Sequence, residues 1–371
     1  MQLPVGQCGV YQSPPVSAGC AGGRAGFVVR RGRPEMNILV TGATGFVGRH
    51  LVRHLVARGH RLWILSRHGA SGRTEHNGQV TVVTGDVTDP VAMGDAVQGM
   101  DAVYHLAALR HLWGVPETVY RQVNVIGTQH LLDAAAESGV RRFVYCSSVG
   151  VARYPGNTQA DERLPYTRPT SQRFYHATKA EAERLVLERA RSGRLPAVVV
   201  RPVITYGPGD EDGMVTRLIK LLAHKRFLLL GRGENHVDLV YIDDLVAGME
   251  AVLHRGSVGR VYIFSGVAPI PMRTLVEKVC ALLDRPMPRG YVPVGLAMGV
   301  GWGMEMLYRL LAGRLIPAGN APFVTRDKVA TLTVDRGFSH QRAAQELGYR
   351  PIVGYDEGLQ RTVTWLYAGR K

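Results

Sequence analysis

From Met36 onward, short apolar runs alternate with longer stretches whose apolar residues recur at helical spacing. Met36-Asn37-Ile38-Leu39-Val40 is the first such run, followed by Arg61-Leu62-Trp63-Ile64-Leu65 and Val80-Thr81-Val82-Val83. Ala102-Val103-Tyr104-His105-Leu106, Arg142-Phe143-Val144-Tyr145-Cys146 and Ala197-Val198-Val199-Val200 continue the series. Residues 119–138 and 179–192 read as helices between them. Short buried strands separated by helices predict a parallel sheet covered on both faces. Beyond about Tyr206 glycine and proline interrupt the pattern, and the chain is expected to return to the sheet at Val261-Tyr262-Ile263-Phe264.

The junction of the first strand and first helix carries Thr41-Gly42-Ala43-Thr44-Gly45-Phe46-Val47-Gly48. A strand, a glycine turn and a helix start in immediate succession suit a dinucleotide pyrophosphate. Gly42 permits the tight turn, Gly45 lets backbone N–H groups approach the phosphates, and Gly48 lets helix and strand pack closely. Thr44, Phe46 and Val47 complete the loop. The expected fold is α/β: a Rossmann-type doubly wound parallel sheet with a smaller, discontinuous C-terminal substrate-binding domain. Residues 36–205 and 238–266 are assigned to the first domain, and 206–237 and 267–371 to the second. Ligands of such sheets bind outside the carboxyl ends of the strands.

Composition narrows the classes. The 371-residue chain is 46% hydrophobic and carries a net charge of +15. Its basic residues are scattered and no RNA- or DNA-reading motif accompanies them, so a basic surface is expected and a nucleic-acid partner is not. Cysteines 8, 20, 146 and 280 match no metal spacing and no disulfide framework, which suits a reducing, cytoplasmic compartment and no metal site. Residues 1–35 are rich in Gly, Pro and Ser, and they lack an apolar segment of signal-peptide length. They are expected to be a disordered extension, or to precede a functional start at Met36.

The candidate chemistry sits in Tyr175-His176-Ala177-Thr178-Lys179, where the phenol and the ammonium are four residues apart on one helix face. A phenol titrates near pH ~10. A neighbouring ammonium, with the positive ring of an oxidised nicotinamide, is expected to lower that value and let Tyr175 exchange a proton. Ser148, at the end of the fifth strand, can hold the substrate oxygen. The set supports hydride transfer between nicotinamide C4 and a carbinol carbon. An NAD site usually ends its second strand with a carboxylate for the ribose. This chain has Ser66 there, then Arg67, so NADP is favoured over NAD. Asp86, after the third strand, is placed to meet the adenine amino group.

With these residues in hand, residues 36–371 resemble the extended short-chain dehydrogenase/reductases of the NAD-dependent epimerase/dehydratase superfamily. The matching pieces are Thr41–Gly48, Asp86-Val87, His105-Leu106-Ala107-Ala108, Asn124 in Asn124-Val125-Ile126-Gly127-Thr128, Ser147-Ser148, Tyr175 with Lys179, Arg201-Pro202, and Tyr206-Gly207-Pro208-Gly209. The resemblance implies that Val87, Ala107 and Ala108 line the cofactor site, and that Pro202 and Val203 flank the nicotinamide. It makes Asn124 a structural or proton-relay residue. Relatives often dimerise through helices flanking the fourth and fifth strands, so a homodimer is expected.

Within the superfamily the chain most resembles the 3β-hydroxysteroid dehydrogenase-like and dihydroflavonol-reductase-like branch, through residues 233–244 and 344–351 with Glu357-Gly358-Leu359. Sugar-nucleotide epimerases carry an arginine before the Asp of that first segment, where this chain has Val237. Sugar dehydratases need an Asp-Glu pair beside the catalytic hydroxyl, where this chain has Val149-Gly150. Both departures favour an oxidoreductase acting on a secondary alcohol or ketone of a bulky apolar molecule. A sterol is the leading substrate, including a sterol 4-carboxylate whose 3-ketone product loses CO2. A nucleotide-sugar epimerase and a non-catalytic, cofactor-sensing regulator are the alternatives. The apolar segment 291–315 is expected to form a packed lid over an apolar pocket, with peripheral membrane contact and, last, a spanning helix as its alternative readings. Glu305 and Arg309, at i and i+4, are expected to pair on its polar face.

Overall fold

The computed structural model describes residues 35–67, 69, 74–75, 78–110, 115–153, 156–167, 174–311 and 322–368. The extension read from residues 1–35 therefore lies, except for Glu35, outside the described residues. The described residues form one compact unit.

Seven parallel strands build the sheet: β1 (Asn37–Thr41), β2 (Arg61–Ser66), β4 (Val80–Thr84), β5 (Ala102–His105), β6 (Arg142–Cys146), β7 (Ala197–Pro202) and β8 (Val261–Phe264). A two-residue antiparallel strand, β3 (Thr74–Glu75), closes one edge. The order is β8-β7-β6-β5-β1-β2-β4-β3. The chain runs outward from β1 to β4 and then crosses back to β5 on the other side of β1. That reversal opens a crevice between β1 and β5, where doubly wound sheets bind ligands.

Alternation along each strand divides the core in two. Ile38, Val40, Tyr104, Val144, Val198 and Val200 face one layer. Leu39, Val103, Phe143, Tyr145, Ala197 and Val199 face the other. In β1, β5, β6 and β7 neither face meets water, and this is why these strands read as nearly continuous apolar runs. The first layer holds α1 (Phe46–Ala57) and α7 (Ile242–Arg255); the second holds α2 (Pro90–Ala96), α4 (Gly127–Glu137) and α5 (Phe174–Arg191). The short α3 (Glu117–Arg121) runs into α4 through one π-helical turn, Gln122–Ile126.

After Tyr206 the chain forms α6 (Met214–Ala223), α8 (Met272–Leu282), α9 (Val294–Leu311), α10 (Arg326–Thr333) and α11 (Tyr355–Tyr367). The core of the first layer continues into them through Val237, Leu275, Val279 and Leu359. Two acidic residues of the 233–244 segment tie the C-terminal region in place. Asp238 accepts from the Phe338 N–H at 2.9 Å, and Asp244 from the Ile352 and Val353 N–H groups at 3.1 Å each. The Tyr349 hydroxyl donates to the Ser265 carbonyl, and its ring meets Phe264 edge-on at 4.8 Å.

α9 departs from expectation. Its buried positions are Ala297, Gly301 and Glu305, whereas Leu296, Val300, Trp302, Leu307 and Leu310 are exposed. Glu305 does not serve an exposed face with Arg309. Its carboxylate accepts from the Arg326 backbone N–H at 2.7 Å and from Arg326 Nε at 2.9 Å. The reason is steric. Gly301, one turn earlier, lies so close to α10 that a Cβ there would sit 2.9 Å from Arg326 N. The small-residue face packs inward, and Glu305 meets the N–H groups that begin α10.

Candidate active site

The glycine loop leaves β1 at the crevice. Gly42 adopts φ +72°, and a Cβ on it would lie 2.6 Å from Ala107 N, so the loop can pass the end of β5 only as glycine. Its carbonyl accepts from the Gly45 N–H at 3.1 Å, which closes the turn. A Cβ on Gly48 would lie 2.2 Å from that carbonyl oxygen. Thr44 and Gly45 are exposed at the tip, and Phe46 and Val47 rest on the core. The first turn of α1 contains no acidic residue and no side chain caps it. Open N–H groups, the positive helix end and a cradle that any side chain would fill together suit a dinucleotide diphosphate.

The loops after the other strands line the same edge. Ser66 is half-buried at the end of β2 and Arg67 is exposed beside it. Asp86 commits Oδ1 to the backbone N–H and hydroxyl of Thr88, at 2.9 and 2.8 Å, which rigidifies its turn. Val87 packs against Gly127, where a Cβ would stand 2.9 Å from it. Ala107 donates its N–H to Thr41 Oγ1 at 3.2 Å, and Ala108 follows it half-buried. Pro202 ends β7, and Val203 donates its N–H to the Phe264 carbonyl at 3.1 Å.

α5 brings the candidate reacting groups to this edge. The Lys179 ammonium is buried, donates to the Cys146 carbonyl at 2.6 Å and lies 4.0 Å from the centre of the Tyr145 ring. Burial lowers its pKa to about 8. Ser148 follows β6 and accepts from the Gly150 N–H at 3.1 Å, which leaves the hydroxyl proton for another acceptor. Gly150 is the docking point for α5, since a Cβ there would lie 2.2 Å from the His176 ring. The Ser148 turn is thereby held against the residue next to Tyr175.

The lowering expected from the ammonium fails here. The Tyr175 phenol is pushed up, to about 12, with burial as the largest cause and the Cys146 thiol adding to it; the Arg110 guanidinium partly opposes them. The Lys179 ammonium bonds the end of β6, and loss of hydration dominates the phenol.

Asn124 is a clamp. Its Oδ1 accepts from the Leu109 N–H at 2.7 Å, and its Nδ2 donates to the Leu109 carbonyl at 3.1 Å and to Thr178 Oγ1 at 3.0 Å. One amide therefore fixes the loop after β5 to the turn of α5 between Tyr175 and Lys179. Asn124 occupies the π-helical turn, the widened geometry that often marks functional sites.

Several neighbours, most of them in the motifs quoted above, carry contacts that the sequence left unassigned. Thr41, His105 and Thr128 form a buried relay: Thr41 Oγ1 to His105 Nδ1 at 2.7 Å, and His105 Nε2 to Thr128 Oγ1 at 2.9 Å. Thr128 donates to the Asn124 carbonyl, so it accepts from Nε2–H, and Nδ1 accepts from Thr41. Burial and the Lys179 charge hold this imidazole neutral, with a pKa lowered to about 3. Beneath Lys179, Glu183 is fully buried and accepts from Ser147, Tyr166 and the guanidinium of Arg201. The signal for Glu183 was available: Tyr175, Lys179 and Glu183 form one i, i+4 series.

Comparison with known proteins agrees with this geometry. Residues 38–264 match the model of the NAD dependent epimerase/dehydratase family. The chain is 36% identical to the 2-alkyl-3-oxoalkanoate reductase of Stenotrophomonas maltophilia, over 88% of this chain and 98% of that one. It is 31% identical to 3beta-hydroxysteroid-dehydrogenase/decarboxylase isoform 1 of Arabidopsis thaliana, over 88% and 78%. Among solved structures, DesIV of Streptomyces venezuelae, a dTDP-glucose 4,6-dehydratase with NAD and TYD bound, superposes with TM-score 0.72 at 25% identity, over 90% of this chain and 98% of that one. The glycine cradle, the switch in strand order and these likenesses converge: the chain belongs to the NAD dependent epimerase/dehydratase family and is an oxidoreductase acting on CH–OH groups.

Proposed function

We propose that the protein interconverts a secondary alcohol and a ketone on a bulky apolar substrate. The observation that carries the reading is the anchoring of α5 on the end of β6, with the Lys179 ammonium on the Cys146 carbonyl one residue before Ser147-Ser148. NAD(P), held on the Gly42–Gly48 cradle, supplies the hydride donor or acceptor. Tyr175 Oη gives its proton to the carbonyl oxygen during reduction and takes the hydroxyl proton during oxidation. Ser148 donates a hydrogen bond to that same oxygen, and Lys179 supplies positive charge beneath the site. Ser66 and exposed Arg67 support NADP over NAD. An Arg67→Glu variant is expected to raise the KM for NADP while that for NAD changes little; equal changes would remove the preference.

Two observations weigh against nucleotide-sugar chemistry. Val237 is fully buried in the antiparallel pair with Ile270, so it offers no grip for a diphosphate. A dehydratase acid at position 150 would collide with His176. The relatives' names favour lipid-like substrates in which the oxygen-bearing carbon lies near a carboxylate: one reduces a 2-alkyl-3-oxoalkanoate, and the other oxidises a hydroxysteroid and decarboxylates. A sterol, or a long 2-alkyl 3-hydroxy acid, is therefore the substrate class proposed.

The test follows nicotinamide absorbance with sterol 4-carboxylates and 2-alkyl-3-hydroxy acids. Tyr175→Phe is expected to reduce kcat by about 10²- to 10⁴-fold while the coenzyme still binds. Equal turnover by wild type and variant, or tight binding of uridine diphosphate sugars instead of lipids, would overturn the proposal.

A further inference from the structure

We infer that Arg110 is the specificity residue for a substrate carboxylate, so that the true substrate is a 3-hydroxy or 3-oxo acid whose carboxylate stands two carbons from the reacting carbon. The inference rests on the redox reading above and names the group that reading leaves unassigned. Arg110 follows Leu109, whose N–H and carbonyl are both held by the Asn124 side chain. The same side chain bonds Thr178, three residues after Tyr175 and one before Lys179. The backbone that presents Arg110 is thus locked to the turn that presents the phenol. Arg110 is exposed, and among the described residues it makes no hydrogen bond or ion pair. Most other arginines around the sheet do: Arg121 pairs with Glu181, Arg141 with Asp101, Arg189 with Asp133 and Arg201 with Glu183.

Its charge nevertheless acts on the site, because it draws the Tyr175 phenol downward and the Asp210 carboxyl likewise. Asp210 Oδ1 accepts from the Gly213 N–H at 2.9 Å and its buried Oδ2 has no hydrogen-bond partner among the described residues, yet Arg110 forms no ion pair with it. A free, exposed guanidinium on a backbone clamped to the turn between Tyr175 and Lys179 fits a bidentate carboxylate. In a 3-hydroxy acid the carboxylate and the carbinol are close enough for one residue to hold each. On oxidation the carbinol hydrogen leaves as hydride to NAD(P)+ and the hydroxyl proton passes to Tyr175. The 3-oxo carboxylate so formed can release CO2: the Cα–carboxyl electron pair becomes the C=C bond of an enolate, which takes up one proton at Cα to give the ketone.

The experiment compares a 2-alkyl-3-hydroxy acid with its methyl ester, with wild type, Arg110→Gln and Arg110→Lys, under saturating coenzyme. Wild type is expected to prefer the acid by about 10- to 100-fold in kcat/KM, as one charge-assisted bond predicts. Arg110→Gln should raise KM for the acid by that factor and leave the acid-to-ester ratio near one, with Arg110→Lys in between. Calorimetric binding of the acid to the coenzyme complex should weaken in parallel. Loss of Arg110 also raises the phenol, but that change lowers kcat for acid and ester alike and cancels in the ratio. Equal acid-to-ester ratios in wild type and Arg110→Gln, with Tyr175→Phe still inactive, would overturn the role of Arg110 alone. Failure of wild type to oxidise either compound would overturn the redox reading and this inference together. An unchanged melting temperature for Arg110→Gln separates both outcomes from misfolding.

Discussion

α5 and α9 are both 18-residue helices, and both turn charge inward, yet they do so for different reasons. α5 sets Lys179 and Glu183 against the ends of the strands, where carbonyl, hydroxyl and guanidinium partners satisfy both. α9 turns in the face made of Ala297, Gly301 and Glu305 and leaves Leu296, Trp302 and Leu310 exposed. In α5 buried charge fixes the helix that carries the candidate phenol. In α9 one buried carboxylate fastens a neighbouring helix. A spacing of four residues says that two side chains share a face; it does not say which way that face points.

The contrast can be broken by removing one carboxylate from each helix. Glu183→Ala strands the Arg201 guanidinium, itself only 3% exposed, without a counter-charge. A loss of about 3–5 kcal/mol in urea unfolding is expected. A loss below ~1 kcal/mol would mean that the strand ends do not depend on this pair. Glu305→Ala should cost less, about 1–2 kcal/mol, because the Arg326 side chain is 39% exposed and water can replace the carboxylate. If the second variant proved the more damaging, the ranking of the two helices would be wrong.

Acid sharpens the contrast, because the His105 relay lies beside α5. The folded imidazole titrates at about 3 against 6.5 when unconstrained, so between these values only the unfolded chain takes up the proton. The contribution of His105 is therefore complete above pH 6.5 and is lost as pH falls towards 3. The difference in stability between wild type and His105→Asn should shrink on acidification through this range; a constant difference would contradict the neutral relay. The smallest effect belongs to the outer face of α9. Leu310→Gln, at a site 71% exposed, should change stability by no more than about 0.5 kcal/mol. A larger loss would mean that something covers this face.

The positions legible in advance were those where backbone geometry or chemistry admits few residue types. Gly42 and Gly48 could be read because a Cβ at either would meet backbone atoms. Tyr175 and Lys179 could be singled out as candidates because proton exchange needs a phenol and a cation on one face. Strands β1, β5, β6 and β7 could be read because burial on both sides removes the polar alternation. The effect of the ammonium on Tyr175 was misjudged, because the shift is a sum over surroundings: sequence supplies the ammonium but not the burial, which is the largest cause among the protein's own groups. Glu305 was misjudged because its partner Arg326 lies 21 residues away and only folding brings them together.

By itself, then, the sequence determined the doubly wound sheet, the glycine cradle and the identity of the candidate proton-exchanging pair. Those features are written in local patterns of two to four residues. Only the tertiary structure decided that Asn124 clamps Leu109 to Thr178, that Thr41, His105 and Thr128 form one ordered relay, and that Arg110 is left with no partner among the described residues. Each of these depends on distances between segments far apart in the chain, and such distances are set by packing rather than by any local preference.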